Sequence, residues 1–410
     1  MESSLYAHVE DLRGEGIERV ADRALGWGCD GLTVAAAYHR ARDVTPHGSS
    51  RVTLRRDGVH FPLPLDVWSE LRLVPPLQDG ADDGLLARLR LQTARRGASL
   101  HGWTVFLHNT TLGLAHPDVT QENCFGDRAA PADLCPSHPD VRAYAIALAR
   151  SVARLGVDAV VAESLHFGFF GHGYHHDRCF ADLGQVEEFL LGLCFCPHCR
   201  LRAAEAGVDS QAARVAAARI VGGVLDGGPP VPGQLAVASL ADHGGPALER
   251  YAISRAQTVT SLVASVARAV ADEGSRLVFL DLAGAIKGYA DGLPAGGTAC
   301  EAAWQIGVDP AAIGSVADGY AILGYARDPG RLSADVAAYR LALGQSSHLR
   351  VTLRPGQPDT PSTANLGQKL RLIAAAADAV DFYSYGLLPL PVLDRIPEAI
   401  SPLRSGPARG

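Results

Sequence analysis

Apolar runs recur along this chain at intervals, and many of them follow a small residue and an aspartate. "GWGCDGLTVAAAYH" (26–39), "RLGVDAVVAES" (154–164), "GSVADGYAILGYA" (314–326) and "AAADAVDFYSYG" (375–386) all have this form. It is the form of a helix that closes and feeds directly into a strand buried on both faces, because such strands are continuously apolar rather than alternating. The pattern predicts strands near 4–10, 31–38, 99–108, 158–164, 276–283, 318–326, 348–354 and 379–386. Between them, "IERVADRALGW", "HPDVRAYAIALARSVARLG", "GRLSADVAAYRLALG" and "TANLGQKLRLIAAAA" carry apolar residues at three- and four-residue spacing, the mark of amphipathic helices. Strands alternating with helices predict an α/β fold with a parallel sheet, and eight such units are the number that closes a (β/α)8 TIM barrel. An open doubly wound sheet is the alternative.

Two stretches interrupt the alternation and are read as insertions in a single barrel domain covering residues 1–410. Residues 40–79 contain "RVTLRRDGVHFPL", which predicts a hairpin turning at Asp57-Gly58. Residues 185–274 hold extra helices around the Gly/Pro break "GGPPVPGQ" at 227–234. A third loop, "ENCFGDRAAPADLCPSHP" (122–139), is long and polar. The elaborated loops therefore follow strands 2, 3 and 4.

Composition narrows the partners. The chain is 47% hydrophobic and 20% charged, enough to bury a large core. A net charge of −7 without a basic stripe argues against nucleic acid. No apolar stretch reaches the roughly 18 residues of a membrane span. The acidic, polar start "MESSLYAHVEDLRGEG" lacks the regions of a signal peptide, so a cytoplasmic location is expected. Eight cysteines are too sparse for a disulfide scaffold.

In a (β/α)8 barrel the active site lies at the C-terminal ends of the strands. Those ends carry Glu10 and Asp11, Tyr38 and His39, His108 and Asn109, Glu163 with His166 beyond it, Asp281, Tyr325 and Arg327, Arg354, and Tyr383 with Tyr385. Burying so many polar groups without partners is costly, so the ring reads as a site for a hydroxyl-rich ligand. The loop after Glu163 adds His172, His175 and His176, which suit either a sugar pocket or a divalent metal. "LCFCPHCR" places Cys194, Cys196 and Cys199 within reach of one tetrahedral zinc ion, with Cys124, Cys135 and Cys179 as candidates for the fourth ligand.

A glutamate closing strand 4, followed by this cysteine cluster, resembles the large retaining clan of (β/α)8-barrel glycoside hydrolases. The likeness extends distantly to the bacterial family-42 β-galactosidases, whose zinc-binding cysteines also follow strand 4. The resemblance implies Glu163 as general acid/base and a structural zinc on Cys194, Cys196 and Cys199. Two positions depart from the clan: Ala162 stands where an Asn usually precedes the acid, and Arg354 ends strand 7 in place of the nucleophilic Glu, with Asp359 the nearest acid. A relocated second carboxylate is therefore expected, with Asp281 the candidate nucleophile or base. His39, His108, Asn109, His166, Arg354 and Tyr385 would bind sugar hydroxyls. The expected partner is a small carbohydrate, with a homo-oligomer left open. Two other readings compete: a metal-dependent barrel isomerase, aldolase or hydrolase using the histidines and Glu163, and a non-catalytic sugar-binding barrel that has lost its nucleophile.

Overall fold

The computed structural model describes residues 1–172, 178–286 and 297–404. Its parallel strands are β1 (Glu2–Ala7), β2 (Gly31–Tyr38), β3 (Ser99–Val105), β4 (Ala159–Glu163), β5 (Arg276–Asp281), β6 (Gly319–Leu323), β7 (His348–Leu353) and β8 (Ala379–Phe382). Each pairs with the next. β1 pairs with both β2 (Ser4↔Gly31) and β8 (Glu2↔Ala379), so the sheet closes on itself. This is the (β/α)8 barrel that the alternation predicts, and closure excludes the open sheet.

Both faces of these strands are buried, and successive side chains alternate between them. On β4, Val160 and Ala162 join the core shared with the helices, whereas Ala159 and Val161 meet Val278, Leu280, Ala321 and Leu323 inside the barrel. The interior also holds polar pairs that satisfy each other. Arg350 donates two hydrogen bonds to Asp381, at 3.0 and 2.6 Å, and reaches Glu2 at 3.1 Å.

One irregularity positions the site. The β2–β3 register shifts between Ala35 and Ala37, which partner Trp103 and Thr104 in turn. Strict alternation from the inward Ala35 would send Tyr38 outward. The bulge turns it into the interior instead, where it packs with Tyr6, Trp103 and Val105.

The hairpin of the first insertion differs from the expected one. Its strands are Ala41–Val44 and Val52–Arg55, and the chain turns between them through Pro46 and Gly48 rather than at Asp57-Gly58. Asp57 instead fixes neighbouring backbone, accepting from Arg40 N at 3.0 Å and Thr111 N at 2.9 Å. Gly58 pairs antiparallel with Tyr38 at φ 149°, and a Cβ there would stand 2.5 Å from the Pro76 carbonyl oxygen. The hairpin has two unlike faces: Arg42, Val44, Val52 and Leu54 are exposed, whereas Asp43 and Arg55 point inward.

The second insertion is smaller than its expected span. Helices Gln185–Leu191, Pro197–Glu205 and Ser210–Leu225 pack around a core of their own, including Phe189, Phe195, Ile220 and Tyr251. The helix Val237–Ala271 breaks at Gly245 (φ 80°) ahead of Pro246. Its later part, with Val259, Leu262, Val263 and Val266, belongs to the barrel core and serves as the helix before β5. Among the described residues no helix is long and apolar enough to cross a membrane.

Candidate active site at the barrel mouth

Parity decides which strand-end side chains face the interior. Counting along β4 from the inward Ala159 and Val161, Glu163 is the next inward residue. Ser164 then takes a left-handed conformation (φ 55°), turning the chain away from the strand. Trp103 on β3 donates its indole N–H to Glu163 Oε2 at 2.6 Å. Burial pushes the Glu163 carboxyl up to about 7, against the opposing pull of the Trp103 hydrogen bond and the nearby His108.

Aromatic rings pack beside this carboxyl. Trp103 meets Tyr38 edge-on at 4.7 Å between centroids, Tyr6 at 5.2 Å and Tyr383 at 5.7 Å. The Tyr38 and Tyr383 hydroxyls are 3.5 Å apart. His8, beyond the end of β1, packs against Tyr38 and Trp103 with neither ring nitrogen hydrogen-bonded among the described residues, Nδ1 standing 3.9 Å from the Asp11 carboxylate. Burial, and then the charges of Arg55, His60 and His39, hold the His8 imidazole well below its usual range.

The expected hydroxyl-binding residues divide. His39 stacks on Tyr38 at 4.4 Å and lies 5.1 Å from His108, edge to face. Burial, reinforced by His108, drives His39 down to about 4. His108 stands 3.4 Å from the Asp133 carboxylate. Burial alone would lower His108, but Asp133, helped by Asp57 and Glu163, carries it above its ordinary value. His166 is buried, with Nδ1 2.7 Å from the Phe167 carbonyl oxygen and Nε2 unpartnered, and burial takes it down to about 4. Arg354 folds over the Tyr325 ring at 4.3 Å and is clasped by the buried Asp359 at 2.5 and 2.9 Å.

Three expected site residues serve other purposes. Asn109 caps the helix Thr110–Ala115, its side-chain oxygen accepting from Leu112 N at 2.9 Å. Tyr385 turns away from the mouth; its hydroxyl donates to Glu15 at 2.9 Å and accepts from Arg23 at 2.6 Å. Asp281 is on the outward parity of β5, with Phe279. It accepts from the Tyr320 hydroxyl at 2.6 Å, the Tyr339 hydroxyl at 2.8 Å and Ala283 N at 2.7 Å. Tyr339 belongs to the outer helix Pro329–Leu343, so Asp281 seals strand to helix and is not brought to Glu163. Asp281→Ala is accordingly expected to orphan two buried hydroxyls and cost roughly 2–5 kcal/mol of stability, by denaturant titration. Turnover per folded molecule should be unchanged. Loss of turnover at wild-type stability in Asp281→Asn would return this residue to the chemistry.

The structure also brings in residues that the strand-end reading passed over. Tyr6 and Trp103 lie within their strands, in "SLYAHVE" and "SLHGWTVFLH", at inward positions below the rim. Asp43 and Arg55 come from the hairpin, where no strand-end rule applies.

Cys135 joins Cys194, Cys196 and Cys199, and the four buried Sγ atoms all lie within 4.8 Å of one another. Cys135 Sγ is 3.4 Å from Cys199, 3.6 Å from Cys196 and 3.7 Å from Cys194. Cys124 is buried in the core of the inserted helices and Cys179 is exposed. Among the described residues, no group of histidines or carboxylates converges as tightly. His175, His176 and Asp177 lie outside the described residues.

No family model matches this chain, and no curated protein matches it. Solved structures do. A β-galactosidase from the Antarctic haloarchaeon Halorubrum lacusprofundi aligns over 100% of this chain and 59% of its own, with TM-score 0.59 and 14% identity. A β-galactosidase from the psychrophilic Marinomonas ef1 aligns over 98% and 60%, with TM-score 0.58 and 11% identity. The catalytic domain of a β-amylase from Paenibacillus polymyxa aligns over 97% and 98%, with TM-score 0.54 and 9% identity. The chain thus spans about three fifths of the length of the β-galactosidases it matches. At these identities the likeness is one of fold: the chain has the closed (β/α)8 barrel found in these glycoside hydrolases.

Proposed function

We propose that this protein is a glycoside hydrolase acting on a small carbohydrate, with Glu163 as its general acid/base. The observation that carries the reading is the position of Glu163: the inward end of β4, hydrogen-bonded to Trp103 at 2.6 Å and raised to about 7. A carboxyl that holds its proton near neutrality can give it to a departing glycosidic oxygen. Tyr383, the least buried ring of the cluster around Trp103, supplies a face for a sugar, and His39 and His108 supply donors and acceptors for its hydroxyls. The structural neighbours named above support the same class of substrate.

Hydrolysis of a panel of 4-nitrophenyl glycosides identifies the sugar, and kcat/KM against pH on the alkyl glycoside of that sugar, whose leaving group needs a proton, tests the proposal. The acid must be protonated to act, so the rate on the alkyl glycoside should fall as pH rises through about 7. A flat profile from pH 6 to 9 would remove Glu163 from the acid role. Arg354 at the end of β7 favours one rival reading, a barrel that binds sugars without cleaving them. Binding of those sugars with no turnover would establish it.

The four thiolates fit a zinc ion. Zn–S bonds of about 2.3 Å in a tetrahedron place sulfurs about 3.8 Å apart, close to the separations around Cys135. Cys135, Cys194, Cys196 and Cys199 would hold it with no open position, which makes the site structural.

A further inference from the structure

If Glu163 is the acid/base of a glycosidase, a second carboxylate should face it. Most acids near the mouth are otherwise engaged. Asp281 faces the helices, Asp359 is clasped by Arg354, and Asp381 is held by Arg350 one layer below Tyr383. Asp57 holds Thr111, and Asp133 stands beside His108.

Asp43 is placed differently. On the inner face of the hairpin, Ala41 packs against the Tyr6–Tyr38–Trp103–Tyr383 cluster, and Asp43 is the next residue on that face. Arg55, opposite Ala41 in register, lies 5.9 Å from the Tyr38 ring centroid and donates from Nε to Asp43 Oδ2 at 2.5 Å. Arg55 also pairs with Glu10, which is the more exposed of the two acids. Asp43 Oδ1 accepts no hydrogen bond among the described residues. Glu163 is tied to the same aromatic cluster through Trp103, and Asp43 through Ala41 and Arg55.

We propose that Asp43 is the partner of Glu163: the nucleophile, delivered by the hairpin after β2 in place of a residue on strand 7. The assignment rests on the glycosidase reading above. Arg55 holds Oδ2 and so fixes the carboxylate with Oδ1 left to attack, which suits a nucleophile. In the first step Asp43 Oδ1 bonds to the anomeric carbon as the bond to the leaving-group oxygen breaks. That oxygen keeps the electron pair and takes the proton of Glu163. In the second step water attacks the anomeric carbon and gives a proton to the Glu163 carboxylate. The bond to Asp43 breaks as the bond to water forms, and its electron pair returns to the carboxylate.

The test uses the full chain and the best substrate of the 4-nitrophenyl panel. Asp43→Gly should lose turnover on the order of 10³-fold or more. Molar sodium azide should restore it and yield a glycosyl azide of anomeric configuration opposite to the substrate, which also shows that the variant is folded. Asp43→Asn, which keeps an acceptor for Arg55, should be equally slow. Near-wild-type turnover in both variants would overturn the assignment while the hydrolase reading stands. Loss of turnover without azide rescue would also overturn it, leaving Asp43 as a support for Arg55. A wild-type protein that cleaves no glycoside in the panel would sink the hydrolase reading and Asp43 with it.

Discussion

Glu163→Gln is expected to lower turnover roughly 10²–10⁴-fold with little change in melting temperature. The amide keeps the size of the side chain and an oxygen to accept the Trp103 indole proton, so the packing around β4 has no reason to change. What disappears is the proton that a carboxyl near 7 delivers to the leaving group. The loss should depend on that group. Substrates with 2,4-dinitrophenol as leaving group need no protonation and should keep most of their bond-cleaving rate. Alkyl and sugar leaving groups should show the full deficit, about 3–5 kcal/mol of barrier at 1.36 kcal/mol per decade. The fall in rate through about pH 7 should vanish in the variant. A Glu163→Gln protein that cleaves an alkyl glycoside at the wild-type rate would show that this carboxyl is not the acid.

Protein prepared without chelator is expected to carry about one zinc per chain on Cys135, Cys194, Cys196 and Cys199. The cluster ties the loop after β3 to the inserted helices after β4, because Cys135 lies before the helix Pro139–Ala153 and Cys196 caps the helix Pro197–Glu205. Cys135→Ser should therefore cost stability on the order of 4 kcal/mol, the scale of losing a bound structural metal. Its kinetic constants at low temperature should stay close to wild type, since the four thiols belong to the cores outside the mouth. Elemental analysis with denaturant titration checks both parts. Less than about a tenth of an equivalent of zinc in fully stable protein would end the proposal.

The strands were readable because burial on both faces leaves continuous apolar runs. The same property hid the site. In "AVVAE" and "RLVFLD" nothing in the hydrophobic pattern distinguishes an inward from an outward position, so Glu163 and Asp281 look equivalent. They differ by one step of phase, and only the pairing of the strands sets that phase. Tyr38 shows the problem from the other side, since a bulge invisible in "GLTVAAAY" gives it its inward aim. Tyr385 is two residues beyond the inward Tyr383, yet a short 3-10 turn begins at it and takes it out of the mouth. Asn109 was a polar residue just ahead of a helix, which is also the description of a cap. Cys135 was legible as a candidate ligand, but not as the one chosen from three. Asp43 and Arg55 belong to an insertion, where no periodic rule relates sequence position to the barrel axis.

Closure of the sheet by β1 and β8 bears on how the molecule folds. The residues that pair, such as Glu2 with Ala379, stand at opposite ends of the barrel sequence. Most other strand contacts join neighbours in the chain, so helices and adjacent strands can assemble locally while the ring is still an open arc. The last seam repays its loop-closure entropy only when the first and final strands meet, and contacts of such long range slow folding. Until then the edges of β1 and β8 are exposed, with the Arg350–Glu2 contact unmade. Any arc formed ahead of that seam presents two open strand edges, the feature through which intermolecular pairing competes with folding.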